Sequence, residues 1–177
     1  CRQRQRCLRR RLAVEREATR DSLCGLLWPD TDDASAAHRL SQSIYALRQA
    51  LPPNSIDTRG RNVTAGTALT CDATDFEHAI AREAFDVAMT LYHGPFLRGI
   101  HLVGTNEFES WCDARRARYA RQFRKACREL IHQRSSSHDL DGMLRTAEMW
   151  VDVDPMDDEA RHRLIECLVS MGNRVEA

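Results

Sequence analysis

The chain has almost no lysine. Lys125 is the single one among 26 cationic residues, so nearly all positive charge rests on guanidinium groups. Arginine presents a planar donor fork suited to phosphate and carboxylate, although a GC-rich genome produces the same bias. No run approaches the ~18–20 apolar residues of a membrane-spanning helix. The opening Cys1-Arg2-Gln3-Arg4-Gln5-Arg6 lacks the apolar centre of a secretory signal. Glycine-rich phosphate loops, a Gly-x-Ser-x-Gly elbow and His–carboxylate pairs at catalytic spacing are all missing, so no catalytic residue and no cofactor are expected. The seven cysteines form no Cys-x-x-Cys pair, and the seven histidines are scattered singly, so no metal is expected either. Cys24, Cys112, Cys127 and Cys167 fall at apolar positions of helical patterns, as small buried hydrophobes in a reducing, cytoplasmic compartment do.

Apolar residues at 42% and charged residues at 29% are the proportions of a soluble globular protein. The formal net charge of zero conceals a division. Residues 1–66 hold 12 arginines against 7 carboxylates, and the remainder 14 cationic residues against 19. A basic head on an acidic body suits an anion-binding unit joined to a protein-contacting one. With no initiating Met and no closing element after Gly172, the chain reads as a piece of something longer.

In the basic third, Gln5–Glu17 reads as a helix with a thin stripe of Cys7, Leu8 and Leu12. Thr19 is an N-cap candidate for a second helix carrying Leu23, Leu26 and Leu27, which Trp28-Pro29-Asp30 terminates. A third helix, about 34–51, has the clearest period. Ala37, Leu40, Ile44, Leu47 and Leu51 form one stripe. His38, Gln42, Tyr45 and Gln49 fall on the opposite side, flanked by Arg39 and Arg48. After Pro52-Pro53, alternation about Gly60 predicts a β-hairpin with Arg59 and Arg61 at its tip. Three helices, a sharp turn and a basic hairpin make the layout of a winged helix-turn-helix. On the pattern alone, the outer face of the third helix is equally a major-groove reader or an ordinary solvated surface.

From Thr74 the period is helical throughout. Thr74-Asp75-Phe76-Glu77 has the form of a capping box opening a helix to about Arg82. Helices are predicted over 84–92, 106–133, 140–151 and 156–171. The long one has Trp111 among its apolar positions and Arg115, Arg116, Arg118, Arg121, Arg124, Lys125 and Arg128 outside, which reads as a solvated face. Asp154-Pro155 suits the start of the last helix. Asp139 and Asn173 follow equivalent signals 34 residues apart, the tetratricopeptide period.

Leu26-Leu27-Trp28-Pro29-Asp30, Leu47-Arg48-Gln49-Ala50-Leu51, Asp75-Phe76-Glu77, Leu91-Tyr92-His93-Gly94-Pro95-Phe96-Leu97, Phe108-Glu109-Ser110-Trp111, Arg115-Arg116 and Val153-Asp154-Pro155-Met156 carry a family resemblance. In this order and spacing they resemble a bacterial transcriptional activator domain joined to a winged-helix DNA-binding domain. That is the arrangement of regulators of the Streptomyces antibiotic regulatory protein type. The family's strands ahead of the first helix are absent here, and Arg61-Asn62-Val63 replaces its usual Tyr or Leu in the wing.

The resemblance implies a mainly α fold, with a winged-helix domain over 1–70 and a tetratricopeptide-like domain over 71–177. It implies binding to promoter repeats in double-stranded DNA, contact with RNA polymerase or its sigma subunit, self-association through the helical part, and no membrane. On that footing His38, Arg39, Gln42, Tyr45, Arg48 and Gln49 face the major groove. Gln42 suits adenine, Arg39 guanine or phosphate, and Tyr45 a sugar or thymine methyl. Arg59 and Arg61 follow the backbone or minor groove. The alternative is a tetratricopeptide-like interaction or signal-sensing module without DNA affinity.

Overall fold

A computed structural model describes residues 2–100, 102 and 104–172. Its elements run α1 Arg2–Glu15, β1 Glu17–Thr19, α2 Arg20–Leu27, α3 Asp33–Ala50, β2 Ile56–Arg59, β3 Asn62–Ala65, α4 Asp72–Ala81, α5 Phe85–Leu91, α6 Asn106–Ser136, α7 Leu140–Val153 and α8 Asp158–Ser170. The fold is mainly helical with one small sheet. Two compact units separate, residues 1–74 with 99–115, and residues 75–98 with 116–177. The long helix α6 contributes to both.

In the first unit, Leu8 and Leu12 of α1, Leu23 and Leu27 of α2 and Leu40 of α3 are wholly buried together with Val63. The helix ends follow local chemistry. Thr19 accepts from Ser22 N (3.2 Å) as the N-cap of α2, and Asp32 from Ser35 N (2.9 Å) as that of α3. The sheet is more than the expected hairpin. Its antiparallel order is β1-β3-β2, and Glu17–Thr19 pairs with Asn62–Thr64. The helix predicted to run through Glu17 therefore stops at Glu15, because Arg16 turns left-handed (φ 64°) and sends the chain into β1. Three residues are too short to carry an alternation signal, which is why β1 was invisible to periodicity.

Arg16 earns its strained backbone. Its guanidinium donates to the carbonyls of Leu69 (2.6 Å) and Gly66 (3.0 Å), fastening the segment after the hairpin. Gly66 is obligatory there, since a Cβ would lie 1.6 Å from the Asn54 carbonyl oxygen.

Most of α4 belongs to the second unit, but the helix begins at Asp72, so Thr74 sits inside the first turn and donates its hydroxyl to Cys71 O (2.7 Å) instead of capping. Phe76, Tyr92, Tyr119 and Phe123 form an aromatic core, with Tyr92 stacked on Phe123 at 4.4 Å. Trp150 of α7 is wholly buried. The last helix starts three residues after Pro155. Asp157 is its N-cap, accepting from Glu159 N (2.9 Å) and Ala160 N (3.4 Å). His138 and Gly172, 34 residues apart, both turn left-handed (φ 59° and 81°) just past a helix end. Asn173 lies outside the described residues.

Candidate nucleic-acid interface

Burial fixes which face of α3 looks outward. Ala36, Leu40, Ser43, Ile44 and Leu47 are buried, a stripe rotated from the expected one, since Ala37 is exposed and Ala36 takes its place. The small shift leaves the opposite side intact. His38, Arg39, Gln42, Tyr45, Arg48 and Gln49 are all exposed, and Tyr45 keeps 67% of its surface accessible. A tyrosine that open on a rigid helix is a group available to a partner.

These side chains differ in freedom. The Gln42 amide donates to His38 Nε2 (2.9 Å) one turn away, which pre-orients it along the helix. Arg39 reaches Thr31 Oγ1 (3.3 Å) in the turn before α3. Arg48 is committed to structure. Its Nε donates to Ile56 O (3.1 Å) and its Nη2 to Thr58 Oγ1 (3.0 Å), tying the helix to β2. That joint sets the hairpin beside α3.

The hairpin closes Arg59↔Asn62 around Gly60-Arg61, with Gly60 at φ 59° in the first central position, where glycine adopts the turn at least cost. Arg59 and Arg61 stand at this tip. Arg59 Nε pairs with Asp57 Oδ2 (2.9 Å), and that bond, with one from Thr58 N, holds the Asp57 carboxyl below its usual range. Arg61 is exposed, while its carbonyl accepts from Arg20 N (2.8 Å) at the start of α2. Arg20, absent from the sequence-predicted set, also donates to Ser41 Oγ (2.5 Å) and so braces α2 against α3. No periodicity marks such a contact between two exposed polar residues of different helices.

Elsewhere in this unit, the Glu15 carboxylate accepts from the Trp111 indole (2.8 Å) and Arg115 (2.5 Å), with Arg11 at 3.4 Å. Desolvation opposes its ionisation, but these donors and charges outweigh burial and hold its pKa below the ordinary glutamate value. Trp111, expected in the core, is half-buried, with its polar edge on Glu15 and Arg11 4.8 Å above its ring.

Among the described residues, no group of three His, Cys, Asp or Glu is placed to hold a metal ion, and no helix is long and apolar enough to cross a membrane. Cys7, Cys112, Cys127 and Cys167 are buried, and desolvation pushes the thiols of Cys7, Cys127 and Cys167 up.

The family profile of the bacterial transcriptional activator domain matches residues 60–177, two thirds of the chain. The chain belongs to this family. No curated protein matches it. The bacterial transcriptional activator domain is a module of transcription regulators and not an enzyme family, so the chain has a regulatory role. The match begins at the hairpin tip and takes in every helix from α4 to α8.

Proposed function

We propose that the chain is a sequence-specific DNA-binding regulator of the Streptomyces antibiotic regulatory protein type. In this reading residues 1–70 form a winged-helix domain and 71–177 a tetratricopeptide-like domain. One observation carries it: an outward α3 face of His38, Arg39, Gln42, Tyr45 and Gln49 lies beside a hairpin with an arginine tip, and Arg48 joins the two. An α-helix of this kind fits the major groove, where a glutamine amide donates to and accepts from one adenine, while wing arginines hold the backbone. The strand order β1-β3-β2 and the 34-residue recurrence of left-handed helix ends support the two fold assignments. As an activator the protein contacts RNA polymerase or its sigma subunit in the cytoplasm and self-associates through its helical part.

The test is a comparison of a selected operator with random duplexes at one salt concentration. Gln42→Ala is expected to weaken the operator by about 1–3 kcal/mol and leave random duplexes unchanged. Arg59→Ala with Arg61→Ala is expected to weaken both alike. Equal losses for Gln42→Ala on both duplexes remove base reading from this residue.

The second reading is a protein-interaction or signal-sensing module. It is favoured by a groove of about 550 Å³ along α8, where Ile165 and Val169 stay exposed beside Ile131, Met143 and Cys167. Failure of the chain to enrich any sequence from a random duplex pool, with a partner protein retained, selects that reading.

A further inference from the structure

The first helix carries a charge pattern that folding does not explain. α1 holds six arginines, and its first turn contains no acidic residue. Positive charge there opposes the helix dipole. Arg2, Arg6 and Arg9 are exposed, and at 100° per residue they fall within a 60° arc. Arginines three and four residues apart repel one another. The neighbouring Arg10 reflects this, since burial first, and then the charges of Arg9 and Arg6, hold it below the usual arginine value. Among the described residues no carboxylate pairs with Arg2, Arg6 or Arg9, and the one ion pair on α1 to its own acid is Arg11 with Glu15. A row of like charges that weakens its own helix is accounted for by a polyanion outside the chain.

Three features favour duplex phosphate over other polyanions. Arg2 and Arg9 are about 10 Å apart along the axis at 1.5 Å per residue, the axial length of about three phosphates of one strand at ~3.4 Å each. Arg4, on the side of α1 opposite the row, stands 5.8 Å over the Trp28 ring, so the first turn of α1 lies near the end where α3 begins while the row itself is turned away from the α2–α3 turn. The stripe is flanked by Gln3 and Gln5, and among the described residues no exposed aromatic or aliphatic residue stands beside it, so the anchor an interfacial membrane helix needs is not found there.

We infer that the Arg2–Arg6–Arg9 row is a third DNA-contact surface, which binds the phosphate backbone without regard to sequence. The inference rests on the DNA-binding reading above. It adds affinity and salt dependence, and no base specificity.

The test uses the full chain and a fluorescent duplex of random sequence, titrated by anisotropy across a salt series. It compares wild type with the triple variant Arg2→Gln, Arg6→Gln, Arg9→Gln. Glutamine keeps helix propensity, and loss of repulsion is expected to leave the thermal midpoint unchanged or higher. The slope of log affinity against log salt is expected to flatten by about two to three, at ~0.9 per phosphate. An unchanged slope, with the Arg59/Arg61 variant still flattened, overturns the inference and leaves the DNA-binding reading standing. A wild-type chain that binds neither operator nor random duplex overturns both. Retention of wild type but not the triple variant on a polyglutamate peptide, with identical duplex binding by the two, overturns the inference in favour of an acidic protein. A lower thermal midpoint in the triple variant assigns the row to the fold and overturns it as well.

Discussion

The helices α1 and α6 hold most of the arginine, six residues in one and seven in the other, yet they use it in opposite ways. In α6 nearly every guanidinium meets a partner. Arg116 donates to the carbonyls of Phe96 (2.8 Å) and Leu97 (3.1 Å). Arg118 pairs with Glu77, Arg124 with Asp157 and Asp154, and Arg128 with Glu159. Arg134 binds Asp86, Gly142 O and Thr146 Oγ1. Along α1 the one acid is Glu15 at its end, taken by Arg11, and Arg2, Arg6 and Arg9 face solvent with no acid beside them. The same residue is thus largely structural in α6, while the Arg2, Arg6 and Arg9 row of α1, the more arginine-dense helix, is left available. What decides is where the carboxylates lie, many of them far away in sequence.

The largest effect that sharpens this contrast is expected at Asp157. Its side chain is only 8% exposed, and it caps α8, takes Arg124 at 2.6 Å and accepts from the Trp150 indole at 3.3 Å. Asp157→Ala is expected to cost about 2–3 kcal/mol in chemical denaturation, through a lost cap and orphaned donors. A cost under ~0.5 kcal/mol would make the arginine face of α6 a solvated surface after all.

Next comes Glu15, where an α1 arginine and an α6 arginine share one acid. Glu15→Gln is expected to cost about 1–2 kcal/mol, read as a lowered urea midpoint. Its lowered pKa means that the stabilisation is fully present above the unfolded glutamate value and is lost as pH falls through the folded one. Asp157, whose pKa is lowered by Arg124 and backbone donors against the opposing effect of burial, adds to the same acid-side loss. The wild-type midpoint should therefore fall more steeply in mild acid than that of the Glu15→Gln variant. Parallel pH profiles for the two would sever Glu15 from the acid response.

The smallest effects belong to solvent-facing groups. Arg118, half exposed in its pair with Glu77, is expected to change stability by no more than about 0.5 kcal/mol on replacement by alanine. Tyr45→Ala should leave the melting temperature nearly unchanged, while lowering operator affinity if α3 reads DNA. A large fall in melting temperature would show that Tyr45 supports the fold.

Amphipathic period, with caps and prolines to mark the ends, placed α2, α3, α5, α6 and α7 within a few residues of their bounds, because burial of one helix face imposes a repeat that a single segment records. It also brought His38, Gln42, Tyr45 and Gln49 to one exposed side of α3, and Arg59 and Arg61 to a turn that Gly60 defines. Contacts between distant segments leave no such trace. The strand β1 exists because Glu17–Thr19 finds β3, 45 residues on. The fixed roles of Arg16 and Arg48 depend on carbonyls presented by the hairpin region, and the half-buried place of Trp111 depends on Glu15. Sequence determined which residues are arginine and which helix faces are apolar. Tertiary structure decided which arginines meet an acid, since an ion pair needs two side chains within ~4 Å, and chain folding alone brings residues so far apart in sequence to that distance.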